Sequence, residues 1–181
     1  MKDTEDTADN NKDKIDFDFA KYNIHTPEFT LRGFNTLGRL VNIIDGDSLS
    51  IVLPVFGNFY KYSVRLNGID TCEMRSKNSE NKNLAIAARN ALLELVTGHK
   101  VTDQTTRQLV QEILDKRVIV VFVECLDFDK YGRLLANVYF QMDNDRINLS
   151  DYLLKHKLAY EYTGNTKLTE GEQLEVLNDK R

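Results

Sequence analysis

The chain has 181 residues, 41% of them hydrophobic and 29% charged, with a formal net charge of −4. That length suits one domain with a real core, and the mix excludes a wholly disordered chain. The longest unbroken apolar run, residues 118–123, is far shorter than the ~20 residues a bilayer span needs. The acidity speaks against a nucleic-acid partner until it is located. Residues 1–20 hold seven acidic and three basic side chains, and the rest of the chain holds 21 of each.

Residues 1–20 read as an acidic disordered tail, and MKDTEDTADNN has no apolar core to make a signal peptide. Residues 21–36 form an extension with scattered aromatics (Tyr22, Phe29, Phe34) that drapes over the domain. From residue 37 the pattern becomes β. A strand over 37–44 stops at Asp45-Gly46-Asp47, a turn signal; a second over 48–53 ends at Pro54; a hairpin loop covers 54–58. Residues 60–69 alternate, with Tyr60, Tyr62, Val64 and Leu66 on one face and Lys61, Ser63, Arg65 and Asn67 on the other.

An apolar stripe (Leu84, Ala87, Ala88, Ala91, Leu92, Leu95) predicts a helix over 83–96, with Gly98 as its C-terminal cap. A second helix is expected over 102–116, capped by Thr102 or Asp103, inside an insertion spanning 101–117. Strands follow over 118–126 and 134–140 around a loop at 127–132. A turn at Asn144-Asp145 leads to a helix over 147–158, and residues 168–181 are a tail or short helix. The order βββ-α-(α)-ββ-α matches a five-stranded OB-fold Greek-key barrel with flanking helices, an α+β fold that is mainly β. Cys72 and Cys125 are too few for a disulfide scaffold, so an intracellular, reducing setting is expected.

Four charged clusters fall at strand ends or in loops: Asp45 to Ser48, Arg65 with Asp70 to Glu73, Asp129 to Arg133, and Tyr160 to Tyr162. Singly, each reads as a turn or a cap. Jointly, they supply what phosphodiester hydrolysis needs. Carboxylates can hold a hard cation, a further glutamate can serve as base, and two guanidinium forks can meet the charge on phosphate oxygens.

Three of these stretches, Ile44-Asp-Gly-Asp-Ser48, Val64-Arg-Leu-Asn-Gly-Ile-Asp-Thr-Cys-Glu73 and Asp129-Lys-Tyr-Gly-Arg133, resemble the staphylococcal nuclease (thermonuclease) family in sequence and order. The resemblance covers roughly residues 37–167, which are expected to form the nuclease domain. It implies Asp47 and Asp70 as calcium ligands, with Thr71 giving a backbone carbonyl, Glu73 as general base, and Arg65 and Arg133 on the scissile phosphate. It implies Lys130 and Tyr131 as nucleotide-contacting groups, and Tyr160 and Tyr162 as a tyrosine pair over the nucleotide. The implied activity is Ca²⁺-dependent endonucleolytic cleavage of DNA or RNA with little sequence preference, leaving 3′-phosphates; Mg²⁺ fits the same carboxylates. DNA or RNA is the expected partner, with no membrane and a monomer as default.

Two departures stand out. Cys72 replaces the family's proline beside the base, and Ser48 replaces a threonine. Two decoys fail. A phosphatase signature of the D-x-D-x-[TV] kind is broken by Leu49, and a calcium loop starting at Asp127 has Val138 where a glutamate belongs. The remaining alternative is a nuclease-like barrel that only binds nucleic acid or protein. His25, His99 and His156 show no metal-ligand spacing.

Overall fold

The computed structural model describes residues 18–164 and 166–178. Most of the expected acidic tail lies outside the described residues. Phe19–Lys21 form one 3₁₀ turn. The extension then joins the domain: Leu31 is buried in the core, Gly33 N–H donates to the Cys125 carbonyl (3.0 Å), and Cys125 N–H donates to the Phe34 carbonyl (2.9 Å).

Three antiparallel strands follow: β1 (Asn35–Ile43), β2 (Ser48–Val55) and β3 (Asn58–Leu66). β2 runs two residues past its expected end, through Pro54. There it has lost its β1 neighbour, a position that tolerates a strand proline. The hairpin loop is therefore only Phe56-Gly57, with φ of 51° and 75°, the pair of left-handed residues that a tight primed turn requires. A turn at Asn67-Gly68 separates β3 from β4 (Ile69–Asp70), so the expected single strand over 60–69 is broken.

Helix α1 (Ser79–Thr97) begins four residues before its expected start at 83, capped by Asn78, whose side chain accepts from the Glu80 and Asn81 backbone. Gly98 ends it at φ 64°, as expected. Helix α2 (Arg107–Asp115) is capped by Thr106 rather than Thr102 or Asp103. Residues 102–105 instead form a turn pinned from α1: Asn90 Nδ2 donates to the Thr102 carbonyl (3.0 Å) and buried Arg89 donates to the Thr105 carbonyl.

Strands β5 (Ile119–Phe128) and β6 (Leu134–Met142) complete the barrel. The order is β3-β2-β1-β5-β6, and a parallel pairing of β3 with β6 (Val64 with Leu134 through Leu66 with Ala136) closes it. The expected helix over 147–158 is two elements. β7 (Asp145–Asn148) pairs back on β6 across a turn at Asp143, and α3 (Leu149–Lys155) starts only after Asn148 caps it. β8 (Tyr160–Glu161) pairs with β4, and α4 (Glu170–Asn178) follows.

Alternation along the strands fills the barrel with Leu40, Leu49, Ile51, Leu53, Val64, Leu66, Val121, Val123, Leu134, Ala136 and Val138. Leu92, Leu93 and Val96 of α1, Val110 and Leu114 of α2, and Leu149 and Leu153 of α3 seal this core. A smaller cluster of Cys72, Ala85, Tyr160 and Leu177 packs α4 against α1.

Candidate active site

The end of the barrel where β2 starts, β3 stops and β6 starts carries the charged groups. Ser48 lies opposite Arg65, and Arg65 lies beside Leu135. One pairing register thus brings together motifs that are far apart in sequence. Asp47 is placed by the turn before β2. Its glycine is there for space and not for φ. A Cβ on Gly46 would lie 2.7 Å from the Ala88 Cβ and 2.8 Å from the Thr71 Cγ2. The Asp45–Asp47 turn thereby rests directly on Thr71 and α1.

Arg65 is the hub. Its Nη1 donates to Asp47 Oδ2, and its Nη2 donates to Asp70 Oδ1 (2.8 Å) and to the Ile69 carbonyl (3.3 Å). The three side chains are 13%, 6% and 2% exposed, so this is a buried ion triad. Asp70 also accepts from the Tyr160 hydroxyl (2.6 Å) and sits 3.1 Å from Lys167 Nζ. Burial alone would raise Asp70, but Arg65, Tyr160 and Lys167 outweigh it and hold its carboxyl below the ordinary range. Burial, followed by the neighbouring Asp45 carboxylate, pushes Asp47 well above that range. A first proton entering the pair therefore goes to Asp47.

Arg133 arrives from the opposite side. Asp129 organises its loop: its Oδ1 accepts from the Tyr131 and Arg133 backbone N–H groups (2.9 Å each), and its Oδ2 accepts from Arg133 Nε (2.7 Å). These donors outweigh partial burial and hold Asp129 below its ordinary value. Gly132 turns the loop at φ 76°. Arg133 Nη1 reaches Ser48 Oγ (3.3 Å), whose own hydroxyl donates to Asp47 Oδ1 (2.9 Å). Ser48 thus couples the two arginine sites. Lys130 and Arg133 lie 5.1 and 5.7 Å from the ring centre of Tyr131.

Glu73 stands on the rim, its side chain 60% exposed, and accepts from Lys167 Nζ (2.6 Å). A cleft of about 980 Å³ opens between these groups, lined by Arg65, Asp70, Glu73, Asp129 to Tyr131, Arg133, Tyr162 and Lys167 among others. Of the ten expected site residues, six others therefore share the cleft wall with Arg65, while Asp47, Thr71 and Tyr160 lie behind it. Tyr160 corrects the expectation of a tyrosine over a nucleotide. Its ring is buried and its hydroxyl holds Asp70. Tyr162 does face the cleft, its ring centre 5.7 Å from the Arg65 guanidinium carbon. Cys72 points away from Glu73 into the α1–α4 cluster, where Asn81 Nδ2 lies 3.5 Å from its Sγ.

Sequence reasoning missed Lys167. Nothing local marks it, because its partners Asp70 and Glu73 are 97 and 94 residues away. Among the described residues no three acidic, histidine or cysteine side chains converge as a metal cage. Asp47 and Asp70 do converge on one cation, the Arg65 guanidinium, and all nearby donors are hard oxygens. That donor set fits a Ca²⁺ or Mg²⁺ ion completed by a backbone carbonyl, water and phosphate. Among the described residues no helix is long and apolar enough to cross a membrane.

The chain is 30% identical over 188 residues to an uncharacterized protein of Methanocaldococcus jannaschii, covering 97% of this chain and 81% of that protein. A family model described as staphylococcal nuclease homologue matches residues 63–180, from β3 through α4. That stretch carries Arg65, Asp70, Glu73 and Arg133, while Asp47 precedes it. With a five-stranded barrel and most of its length matched, the chain belongs to the staphylococcal nuclease homologue family.

Proposed function

We propose that the protein is a metal-dependent nuclease that hydrolyses phosphodiester bonds of DNA or RNA with little sequence specificity. The observation that carries this reading is the charged cluster at one barrel end. Two buried carboxylates are bridged by Arg65, a second guanidinium is linked to them through Ser48, and Glu73 stands free of the core at the rim. A nucleic-acid-binding barrel without chemistry has no need of buried carboxylates facing an anionic ligand, because they repel phosphate.

Asp47 and Asp70 would hold the cation, with the Thr71 carbonyl as a further ligand. When bound, a Ca²⁺ or Mg²⁺ ion supplies charge withdrawal from a phosphate oxygen. Arg65 and Arg133 fork onto the oxygens that gain charge as the bond order changes, and neither loses its proton. Each keeps donors for this. A guanidinium has five N–H groups, and Arg133 uses only Nε and Nη1 on Asp129 and Ser48. Glu73 takes a proton from water as the water attacks phosphorus, and the opposite bond to the 5′ oxygen breaks, the leaving oxygen taking a proton from the surrounding water. For that its carboxylate must give up Lys167, which then turns to the phosphate. Tyr131, Tyr162 and Lys130 line the walls where a nucleotide sits.

Degradation of single-stranded DNA and RNA with Ca²⁺, Mg²⁺ or Mn²⁺ and with a chelator is the deciding experiment. Cleavage is expected with metal and none with chelator. Arg65→Ala, Glu73→Ala and Arg133→Ala should each lower turnover by about 10²–10³ or more. No cleavage with any of the three ions overturns the reading in favour of a binding module.

A further inference from the structure

The outer face of β1 to β3 carries two cations, Arg39 and Lys61, that no other described side chain engages. Successive outward positions of β3 are Arg65, Ser63, Lys61 and Phe59, paired across β2 with Ser48, Ser50, Val52 and Pro54. Pairing extends one row onto β1, where Arg39 faces Val52. Arg39 and Lys61 therefore flank Val52 on the same face. Among the described residues, neither side chain has a hydrogen bond or ion pair, and the Arg39 Nε is buried without a partner. No carboxylate occupies any of these outward positions. In a chain with 28 acidic side chains, two adjacent cations without partners leave local positive potential where the global charge is negative.

The face also offers rings. Phe59 is 75% exposed at the hairpin end, and Phe56 at the tip is 80% exposed, steadied by Phe29 of the extension at 5.9 Å between ring centres. Outward residues of a strand are spaced ~6.7 Å apart, so Arg65, Lys61 and Phe59 mark out ~20 Å of surface leading away from the cleft. Cations at intervals followed by an aromatic platform suit an unpaired strand, whose phosphates and unstacked bases are both accessible. The same β2–β3 face is where five-stranded barrels of this class take oligonucleotides.

We propose that this face is a second subsite that binds single-stranded nucleic acid continuing from the cleft, with Arg39 and Lys61 on phosphates and Phe59 stacked on a base. The proposal deepens the nuclease reading and rests on it for the direction of the strand. It explains how a chain with no general basic surface would prefer a long unpaired substrate to a short one.

The test is fluorescence anisotropy of the full chain in chelator, using a labelled single-stranded deoxyoctanucleotide over a range of salt, beside metal-dependent cleavage of a dinucleotide. The variants are Arg39→Gln/Lys61→Gln and Phe59→Ala, each checked by thermal melt; Lys61 and Phe59 are exposed and Arg39 is half-buried. The double variant should weaken octamer binding about tenfold and flatten its salt dependence by one to two ions. Phe59→Ala should weaken it several-fold at unchanged salt slope. Dinucleotide cleavage should stay at the wild-type rate in both. Unchanged octamer affinity and slope in the double variant overturn the subsite, as does a wild type that binds the octamer no better than the dinucleotide; cleavage of the dinucleotide then shows the nuclease reading intact. Binding that depends on Arg39 and Lys61 in a protein that cleaves nothing overturns the nuclease reading and keeps the subsite. Equal competition by polyglutamate, with no effect of Phe59→Ala, overturns it as a strand-binding site.

Discussion

Arg65 and Arg133 face one cleft, but the ground under them differs. Arg65 is buried against two buried carboxylates, and its burial is outweighed by their charge and hydrogen bonds. Arg133 is 28% exposed on a loop, held by one carboxylate that is 19% exposed and largely occupied with the loop's own backbone. One guanidinium is a structural keystone that also lines the cleft. The other lines the cleft from a loop, with a single ion pair to hold it. The same residue type can therefore be needed equally for chemistry and very unequally for folding.

Stability separates the two most sharply. Removing Arg65 leaves Asp47 and Asp70 buried without their shared cation, a loss of about 3–5 kcal/mol. Removing Arg133 breaks a part-exposed pair of about 1 kcal/mol or less. Urea unfolding of Arg65→Ala and Arg133→Ala should show this gap at similar loss of turnover. Adding Asp47→Asn to Arg65→Ala should recover part of the stability, because Asp47 is then no longer a stranded charge while Asp70 keeps Lys167 and Tyr160. Equal unfolding midpoints for the two single variants would erase the distinction.

What lies beneath the buried half is tested by Gly46→Ala. The added methyl meets the Ala88 Cβ and the Thr71 side chain at under 3 Å, and both belong to packed elements. A loss of about 1–3 kcal/mol is expected, with turnover falling further as Asp47 shifts. A matching substitution at Gly132 in the Arg133 loop meets no atom within 4 Å, and its cost is the strain of φ 76°. Gly132→Asn, which tolerates that conformation, should be mild. If Gly46→Ala is equally mild in melts, the turn is not seated as described.

The unequal halves also explain what could be read from sequence. The three motifs, the barrel strands and the helix α1 stripe are local patterns, and the chain order of strands supplied the barrel. The first turn of α1 was hidden because its buried Asn81 is polar, answering to Gln173 and the Glu170 carbonyl across the fold. Residues 147–158 carry apolar groups at spacings that suit a helix, and only the pairing of β7 on β6 splits them. Asp129 and Arg133 form their contact within one loop, so that half was legible. The burial of the Arg65 triad, the part Tyr160 plays in it and the presence of Lys167 depend on β8 docking on β4, which no local spacing records.

Lys167 spans both halves, touching Asp70 in the buried one and Glu73 on the rim. An ammonium there repels a divalent cation arriving on Asp70 and must move aside. Lys167→Met should tighten Ca²⁺ binding about tenfold, or ~1.4 kcal/mol, by calorimetry with the metal alone. Asp70→Asn should abolish that binding. Equal Ca²⁺ affinity with and without Lys167 would mean that the lysine and the ion do not share the site.

The smallest effect concerns the seal of the buried half. Cys72 follows Thr71 in sequence, yet it is 2% exposed, and burial, with the nearby Asp70 charge, raises its thiol despite the Asn81 contact. Cys125 lies in the barrel core, and burial pushes its thiol up to about 11, leaving a thiolate fraction on the order of one in a thousand at pH 8. Both thiols should therefore resist a thiol reagent in the folded protein and react on unfolding, and mild oxidants should leave turnover unchanged. The two differ in what opens them. Cys125 needs the barrel to unfold, whereas Cys72 needs only α4 to lift from α1. Adding urea below the unfolding midpoint should expose Cys72 first. Simultaneous labelling would show that α4 and the barrel open together, and that the buried half of the site is as firmly closed as the core.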